Sequence, residues 1–223
     1  MVRQVTSQLL LDLELRPDAT FANFLGEVPR ELRVETPWAY CWGPLGTGRS
    51  HLLQAFCHAW QADHRQVMYL PSPARTSPEM LDNLHQYELL CIDEADDVLQ
   101  DEAWQAPLFH LFNSLKDNGH ALLMSGLTHP LELHVPLADL RSRFRAMSHV
   151  ESSELDQAGK TRLLQQRASR HGFQLSEQVV DYVMNRCARD QQTLLRVLDG
   201  LAHESLRQQR RVTIPLVREM LNL

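Results

Sequence analysis

The chain has 223 residues, enough to bury a core of useful size and too few for two large domains. Hydrophobic residues make up 43% and charged residues 22%, the composition of an ordinary soluble globular protein. A formal net charge of −6 and a pI near 6.0 argue against coating phosphate backbones by bulk charge. No stretch approaches the roughly 18 apolar residues of a membrane span, and Asp12 and Glu14 interrupt the N-terminal leucines too soon for a signal peptide. Among the basic residues only Lys116 and Lys160 are lysines; arginine suits bidentate contacts to phosphate, but a compositional bias explains the count more simply. Cys41, Cys57, Cys91 and Cys187 form no CxxC pair, which argues against a zinc or redox motif and for a reducing cytoplasm.

In chain order, residues 1–19 read as an extended arm. Trp38–Trp42, Val67–Leu70, Leu89–Ile92 and Ala121–Ser125 read as strands, with a weaker one at Ser148–Val150. Helical periodicity runs from His51 to Gln61 and from Trp104 to Lys116. Strands alternating with helices predict a parallel sheet covered on both faces. From Asp156 the pattern is helical only. Ser176-Glu177 caps a helix carrying Val179, Val180, Val183 and Met184 on one face. Asp190 to Gln208 follows with Leu194, Leu195, Leu198 and Leu201 as its apolar stripe, and Thr213-Ile214-Pro215 starts a last helix. The expected division is an arm at 1–19, an α/β nucleotide-binding domain at 20–153 and a helical domain at 154–223.

Two segments carry chemistry. Gly43-Pro44-Leu45-Gly46-Thr47-Gly48-Arg49-Ser50 lies between a strand and a helix and follows the GxxxxGK[ST] pattern, with arginine in the lysine position. Glycines let backbone N–H groups wrap phosphates, the helix start adds its positive end, and Ser50 would offer a hydroxyl to Mg. About 40 residues on, an apolar strand ends in Asp93 and Glu94. In such proteins the first acid helps hold Mg, and the second is placed to orient a water as general base. Arg49 keeps the charge but changes its geometry, so nucleotide binding is expected and efficient turnover is not.

Further segments resemble the DnaA family within the AAA+ class. Ala19-Thr20-Phe21-Ala22-Asn23-Phe24 resembles its TFxNF box, which lies against the nucleotide base and would bring Thr20 and Phe21 to it. Gly43 to His51 resembles its phosphate loop, including the histidine after the serine. Leu140-Arg141-Ser142-Arg143-Phe144 resembles its SRF box, whose arginine, Arg143 here, acts as a finger on a neighbouring subunit's nucleotide. The resemblance runs from about Thr20 to Leu223 and implies a P-loop AAA+ sheet with flanking helices plus a small C-terminal helical lid. It departs at two positions. The lid arginine that touches nucleotide corresponds to Gln192, with Arg189 and Arg196 as alternative donors, and Ser125-Gly126-Leu127 stands where a polar sensor is expected, leaving Ser125 to reach water or phosphate.

A DnaA-like core with a short arm and no helix-turn-helix reader resembles the Hda branch of that family. Gln8-Leu9-Leu10-Leu11-Asp12-Leu13 resembles the peptide by which that branch docks on the DNA polymerase III sliding clamp, with Gln8, Leu9, Leu11 and Leu13 as the contacts. Asp12 departs from the proline usual at its site. A first strand of the domain would look similar. The resemblance implies bound ADP or ATP with Mg, DnaA and the clamp as partners, hydrolysis stimulated in trans by Arg143, and no sequence-specific DNA binding. A homodimer or higher oligomer is compatible with it. Two other readings stay open: a self-sufficient AAA+ ATPase that loads or remodels a partner, which Glu94 favours and Arg49 and Gln192 oppose, and a DNA-binding initiator, which the acidic balance opposes.

Overall fold

The structure, a computed structural model, describes residues 15–33, 35–188 and 190–221. Strands β1 (Trp38–Trp42), β2 (Val67–Leu70), β3 (Leu89–Ile92), β4 (Ala121–Gly126) and β5 (Ser148–Glu151) form one sheet in the order β2-β3-β4-β1-β5. Every pairing is parallel. Parallel neighbours require crossovers. Helix α1 (Arg49–Ala62) follows β1, α2 (Asp96–Gln100) and α3 (Glu102–Asp117) join β3 to β4, and α4 (Ala138–Arg145) joins β4 to β5. Between β2 and β3 the crossover consists of short 3-10 turns.

The two-residue period of the strands sorts their side chains between two cores. Tyr40, Leu90, Ile92, Leu122 and Met124 meet Leu108 and Phe112 of α3 and Phe144 of α4 on one face. Ala39, Cys41, Leu89, Cys91, Ala121 and Leu123 meet Leu53, Phe56 and Trp60 of α1 on the other. Small strand residues on the α1 face (Ala39, Cys41, Cys91, Ala121) leave room for the bulky helix residues. Three cysteines thus serve as buried free thiols.

The lid comprises α5 (Gln157–Arg170), α6 (Glu177–Arg186), α7 (Gln191–Gln208) and α8 (Ile214–Leu221). Side chains of Asp156, Ser176 and Asp190 accept from the backbone N–H groups of Gly159, Val179 and Thr193 and so cap the first three. Each such cap contributes about 0.5–2 kcal/mol. Val180, Val183, Leu194, Leu198, Leu201 and Leu216 form the lid core. Leu195, expected in the same stripe, is only half-buried and faces the cavity between lid and sheet instead. The fold is the α/β class with a C-terminal helical lid that the alternating pattern predicts.

Candidate functional site

Strand β4 lies between β1 and β3, so the loops leaving β1 and β3 open on either side of it at the carboxyl end of the sheet. That is where open α/β sheets bind ligands. A cavity of about 420 Å³ lies there, bounded by residues of the glycine loop, of the N-terminal segment (Asp18, Phe24) and of the lid (Arg167, Arg170, Gln191).

The glycine loop needs its glycines. Gly43, Gly46 and Gly48 have φ of 149°, 84° and 94°, where only glycine sits without strain. A Cβ on Gly43 would lie 2.2 Å from the Ser152 carbonyl oxygen. Gly48 caps α1, and the Leu52 N–H donates to its carbonyl at 2.8 Å. Thr47 turns inward, donating from Oγ1 to the Pro44 carbonyl at 2.9 Å. Arg49 is 7% exposed, and its Nη1 is buried without a hydrogen-bond partner among the described residues. Ser50 lines the cavity in the first turn of α1. A buried guanidinium nitrogen with no partner among the described residues, beside a loop of glycines at positive φ and a helix start, matches the chemistry of a polyphosphate. The residues present fit a nucleotide.

Asp93 is 4% exposed and already engaged. Tyr69 donates from its hydroxyl to Asp93 Oδ2 at 2.6 Å, Ser125 donates to Oδ1, and the Glu94 N–H lies 3.2 Å from Oδ1. Gln54 Nε2 supports Tyr69 with a donation of 3.1 Å to its hydroxyl. Burial, and then the Asp93 charge, push the Tyr69 phenol well above its ordinary value, so it remains a donor. The Asp93 carboxylate thus accepts three of the four or so hydrogen bonds open to it, which leaves little room for a direct bond to Mg. Burial also pushes the Cys41 thiol up to about 12, against the pull of Arg49. Glu94 is exposed, lines the cavity, and adopts the left-handed region with φ of 54°. Its carboxylate accepts from the Ser72 hydroxyl. Ser125 is fully buried behind the cavity, and its hydroxyl serves Asp93 and the Glu94 N–H rather than a ligand.

The N-terminal segment wraps α1. His51 Nε2 donates to the Thr20 carbonyl at 2.9 Å, and burial holds its imidazole below the ordinary value, which keeps the ring neutral at pH 7. Phe21 packs edge-on against Phe56 with centroids 4.9 Å apart, away from the cavity; the ring that faces the cavity is Phe24, tilted against His51 at 5.6 Å. From the lid, Arg167 and Arg170 reach Asp18 at 3.4 and 3.0 Å. At the start of α7 the side chain turned into the site is Gln191, whereas the Gln192 side chain is exposed and only its backbone touches Gly46. Arg196 is exposed and donates to Thr193 Oγ1, and Arg189 lies outside the described residues.

On α4, Arg141 Nη1 donates to the Val135 carbonyl at 2.9 Å and is thereby tied to its own fold. Arg143 is exposed, lies away from the cavity, and has no ion-pair partner among the described residues. Gln8, Leu9, Leu11 and Leu13 lie outside the described residues. No helix among the described residues is long and apolar enough to cross a membrane.

Comparison with known proteins places this geometry. The family model of the bacterial DnaA ATPase domain matches residues 27–151, and that of the Hda lid domain matches residues 156–221. An uncharacterized protein of Haemophilus influenzae is 36% identical over 231 residues, spanning 98% of this chain and 100% of that protein. Domain III of the Thermotoga maritima replication initiation protein DnaA shares the fold with a TM-score of 0.78 at 20% identity, covering 94% of this chain and 98% of that one. AMPPCP-bound DnaA from Aquifex aeolicus has a TM-score of 0.66 at 22% identity, covering 86% of this chain and 66% of its own.

Proposed function

The chain belongs to the DnaA-related AAA+ family, and we propose that within it the protein is an Hda-type negative regulator of replication initiation. It holds ADP or ATP in the cavity, docks on the sliding clamp through residues 8–13, and speeds hydrolysis of ATP on DnaA with Arg143. The observation that carries this reading is the contrast between two arginines. Arg49 is buried in the chain's own cradle, its Nη1 without a hydrogen-bond partner among the described residues, whereas Arg143 is exposed and outside that cradle. One therefore suits a ligand held here, and the other suits a ligand held by a neighbour.

Backbone N–H groups of residues 45–50 and the Arg49 guanidinium would hold the phosphates, Ser50 a Mg ion, and Phe24 and His51 the wall at the N-terminal side. A bound nucleotide supplies the negative charge this cradle is built for, and by mass action stabilises the arrangement in which it is closed. On DnaA, phosphoryl transfer spreads charge over the transferred group's oxygens. A guanidinium delivered in trans neutralises that charge, an effect of about 10³–10⁵ in rate in GTPase systems. The second reading, a self-sufficient ATPase, is favoured by Glu94 at the cavity wall and opposed by the engagement of Asp93, Ser125 and Glu94 with their own neighbours.

Capture on sliding clamp in the presence of ATP-loaded DnaA, with phosphate release followed in the same mixture, tests the proposal. The wild-type chain is expected to be retained on the clamp and to raise release. Replacing Gln8 and Leu9 by alanine should abolish retention at unchanged thermal stability. Turnover of many ATP per minute by the isolated chain, with no effect on DnaA, would favour the ATPase reading instead.

A further inference from the structure

Arg143 rides on a helix of eight residues, α4, so the direction in which its guanidinium leaves depends on what holds that helix in place. Two side chains of α4 are buried, Leu140 and Phe144, and their spacing puts them on one face. Phe144 follows Arg143 in the last turn and is fixed at both ring and backbone. Its ring, 1% exposed, meets the ring of Tyr40 edge-on with centroids 5.0 Å apart and lies 5.4 Å from that of His149. Its carbonyl accepts from the Met147 N–H at 3.1 Å and from His149 Nε2 at 3.2 Å. Successive helical residues point about 100° apart, so pinning Phe144 also pins the direction of Arg143.

Tyr40 is itself held from behind. It lies in β1, fully buried, and its hydroxyl sits 3.2 Å from Asp96 Oδ1 and 3.0 Å from the Thr128 carbonyl, which share its one proton. Burial, and then the Asp96 charge, push the phenol well above its ordinary value, so it stays a donor. Asp96 also accepts the Leu127 N–H on Oδ2 and the Thr128 N–H on Oδ1, both at 2.8 Å. The cluster leaves no space for a side chain at Gly126, where a Cβ would lie 2.0 Å from the Tyr40 hydroxyl and 2.3 Å from Asp96 Oδ2. One carboxylate thus anchors both ends of the segment that carries the arginine. It grips residues 127 and 128, where the connection from β4 to α4 begins, and through Tyr40 it backs the ring of Phe144, where α4 ends.

We propose that Tyr40 is a positioning residue for Arg143: seated on Asp96, its ring fixes the last turn of α4 and so the line along which the guanidinium reaches a neighbour's phosphates. This inference rests on the reading of Arg143 as an arginine delivered in trans and names the residues that aim it. Displacing a reacting group by about 1 Å costs up to about 100-fold in rate, even when the change lies far from the chemistry. Loss of the Tyr40 ring leaves Arg143 on the surface with its charge, so encounter with the partner is retained while the productive geometry is not.

Phosphate release from ATP-loaded DnaA, followed with sliding clamp, ADP and rising concentrations of the full chain, tests it. The maximal rate and the half-saturating concentration are read separately, alongside ADP affinity. Tyr40→Leu is expected to lower the maximal stimulated rate by about 10- to 100-fold, with half-saturating concentration and ADP affinity within about twofold of the wild type. Tyr40→Phe, which keeps the edge-on ring pair and loses only the hydroxyl, should stay within about threefold of the wild-type maximal rate. Asp96→Ala, which frees the loop as well as the hydroxyl, should give the same signature as Tyr40→Leu and serves if that variant does not fold. A wild-type maximal rate in Tyr40→Leu or Asp96→Ala, an equal loss in Tyr40→Leu and Tyr40→Phe, or a loss that falls on half-saturation or ADP affinity instead of the maximal rate would overturn the inference. Stimulation by Arg143→Ala equal to that of the wild type would overturn the trans reading itself, and this inference with it.

Discussion

Replacing Arg49 by methionine should separate folding from nucleotide binding, with effects of opposite sign. Without ligand, Arg49 is 7% exposed and its Nη1 is unsatisfied among the described residues. A buried donor left without a partner costs about 1–3 kcal/mol. Methionine retains most of the stem's packing and removes the donor. The unliganded variant is therefore expected to match the wild type or exceed it by about 1 kcal/mol, a rise in Tm of about 2–4 °C for a chain of this size. With nucleotide bound, the same group would donate to phosphate, and a hydrogen bond to a charged partner is worth about 1.5–3 kcal/mol. Affinity for ADP should accordingly fall by about 10- to 100-fold. Thermal melting across an ADP titration reads both effects. A variant that melts several degrees lower without ADP, yet keeps the full ADP-dependent rise, would refute the assignment of Arg49 to the ligand.

Two further predictions concern the lid contact and the core. Asp18 ties the N-terminal segment to Arg167 and Arg170, and because these side chains are about 27–34% exposed, Asp18→Asn should lower Tm only modestly, and less at high salt. Burial opposes ionisation of Asp18, but Arg16, Arg170 and Arg167 together outweigh it and hold the carboxyl below its ordinary 3.8. Its contribution is therefore present above that pH and lost as pH falls through the lowered value: the Tm difference from Asp18→Asn should be flat from about pH 5 upward and vanish in strong acid, and a difference that grows on acidification would contradict the ion pairs. Cys41, Cys57 and Cys91 are fully buried and Cys187 is not, so a thiol reagent at mild pH should label one cysteine in the folded chain and four after denaturation; labelling of a second before unfolding would mean that the α1 face of the sheet is not packed as described.

The sheet and the cradle were legible in the sequence because their signals are local. Each strand is a short apolar run, and the glycine loop compresses its geometry into eight residues. Helix α4 gave no such signal: it buries only Leu140 and Phe144, too few apolar positions to mark a face. The lid contact fell one residue from the expected position. Successive helical residues point about 100° apart, so the step from Gln192 to Gln191 turns a side chain from solvent into the site. Phe21 and Phe24 differ in the same way, since the intervening 3-10 turn sends one ring onto Phe56 and the other into the cavity. The Tyr69–Asp93–Ser125 network joins β2, the residue that follows β3, and β4, and Asp18 meets Arg170 across 152 residues. Pairings of that kind depend on the assembled topology, which no single stretch of sequence encodes.

In the proposed function this chain lends an arginine to a nucleotide it does not itself hold. The most direct test is the rate of phosphate release from ATP-loaded DnaA, measured with sliding clamp, ADP and either the wild-type chain or Arg143→Ala. The alanine variant is expected to bind ADP and clamp as the wild type does and to leave release at the rate of DnaA alone. Stimulation by the variant equal to that of the wild type would contradict that role.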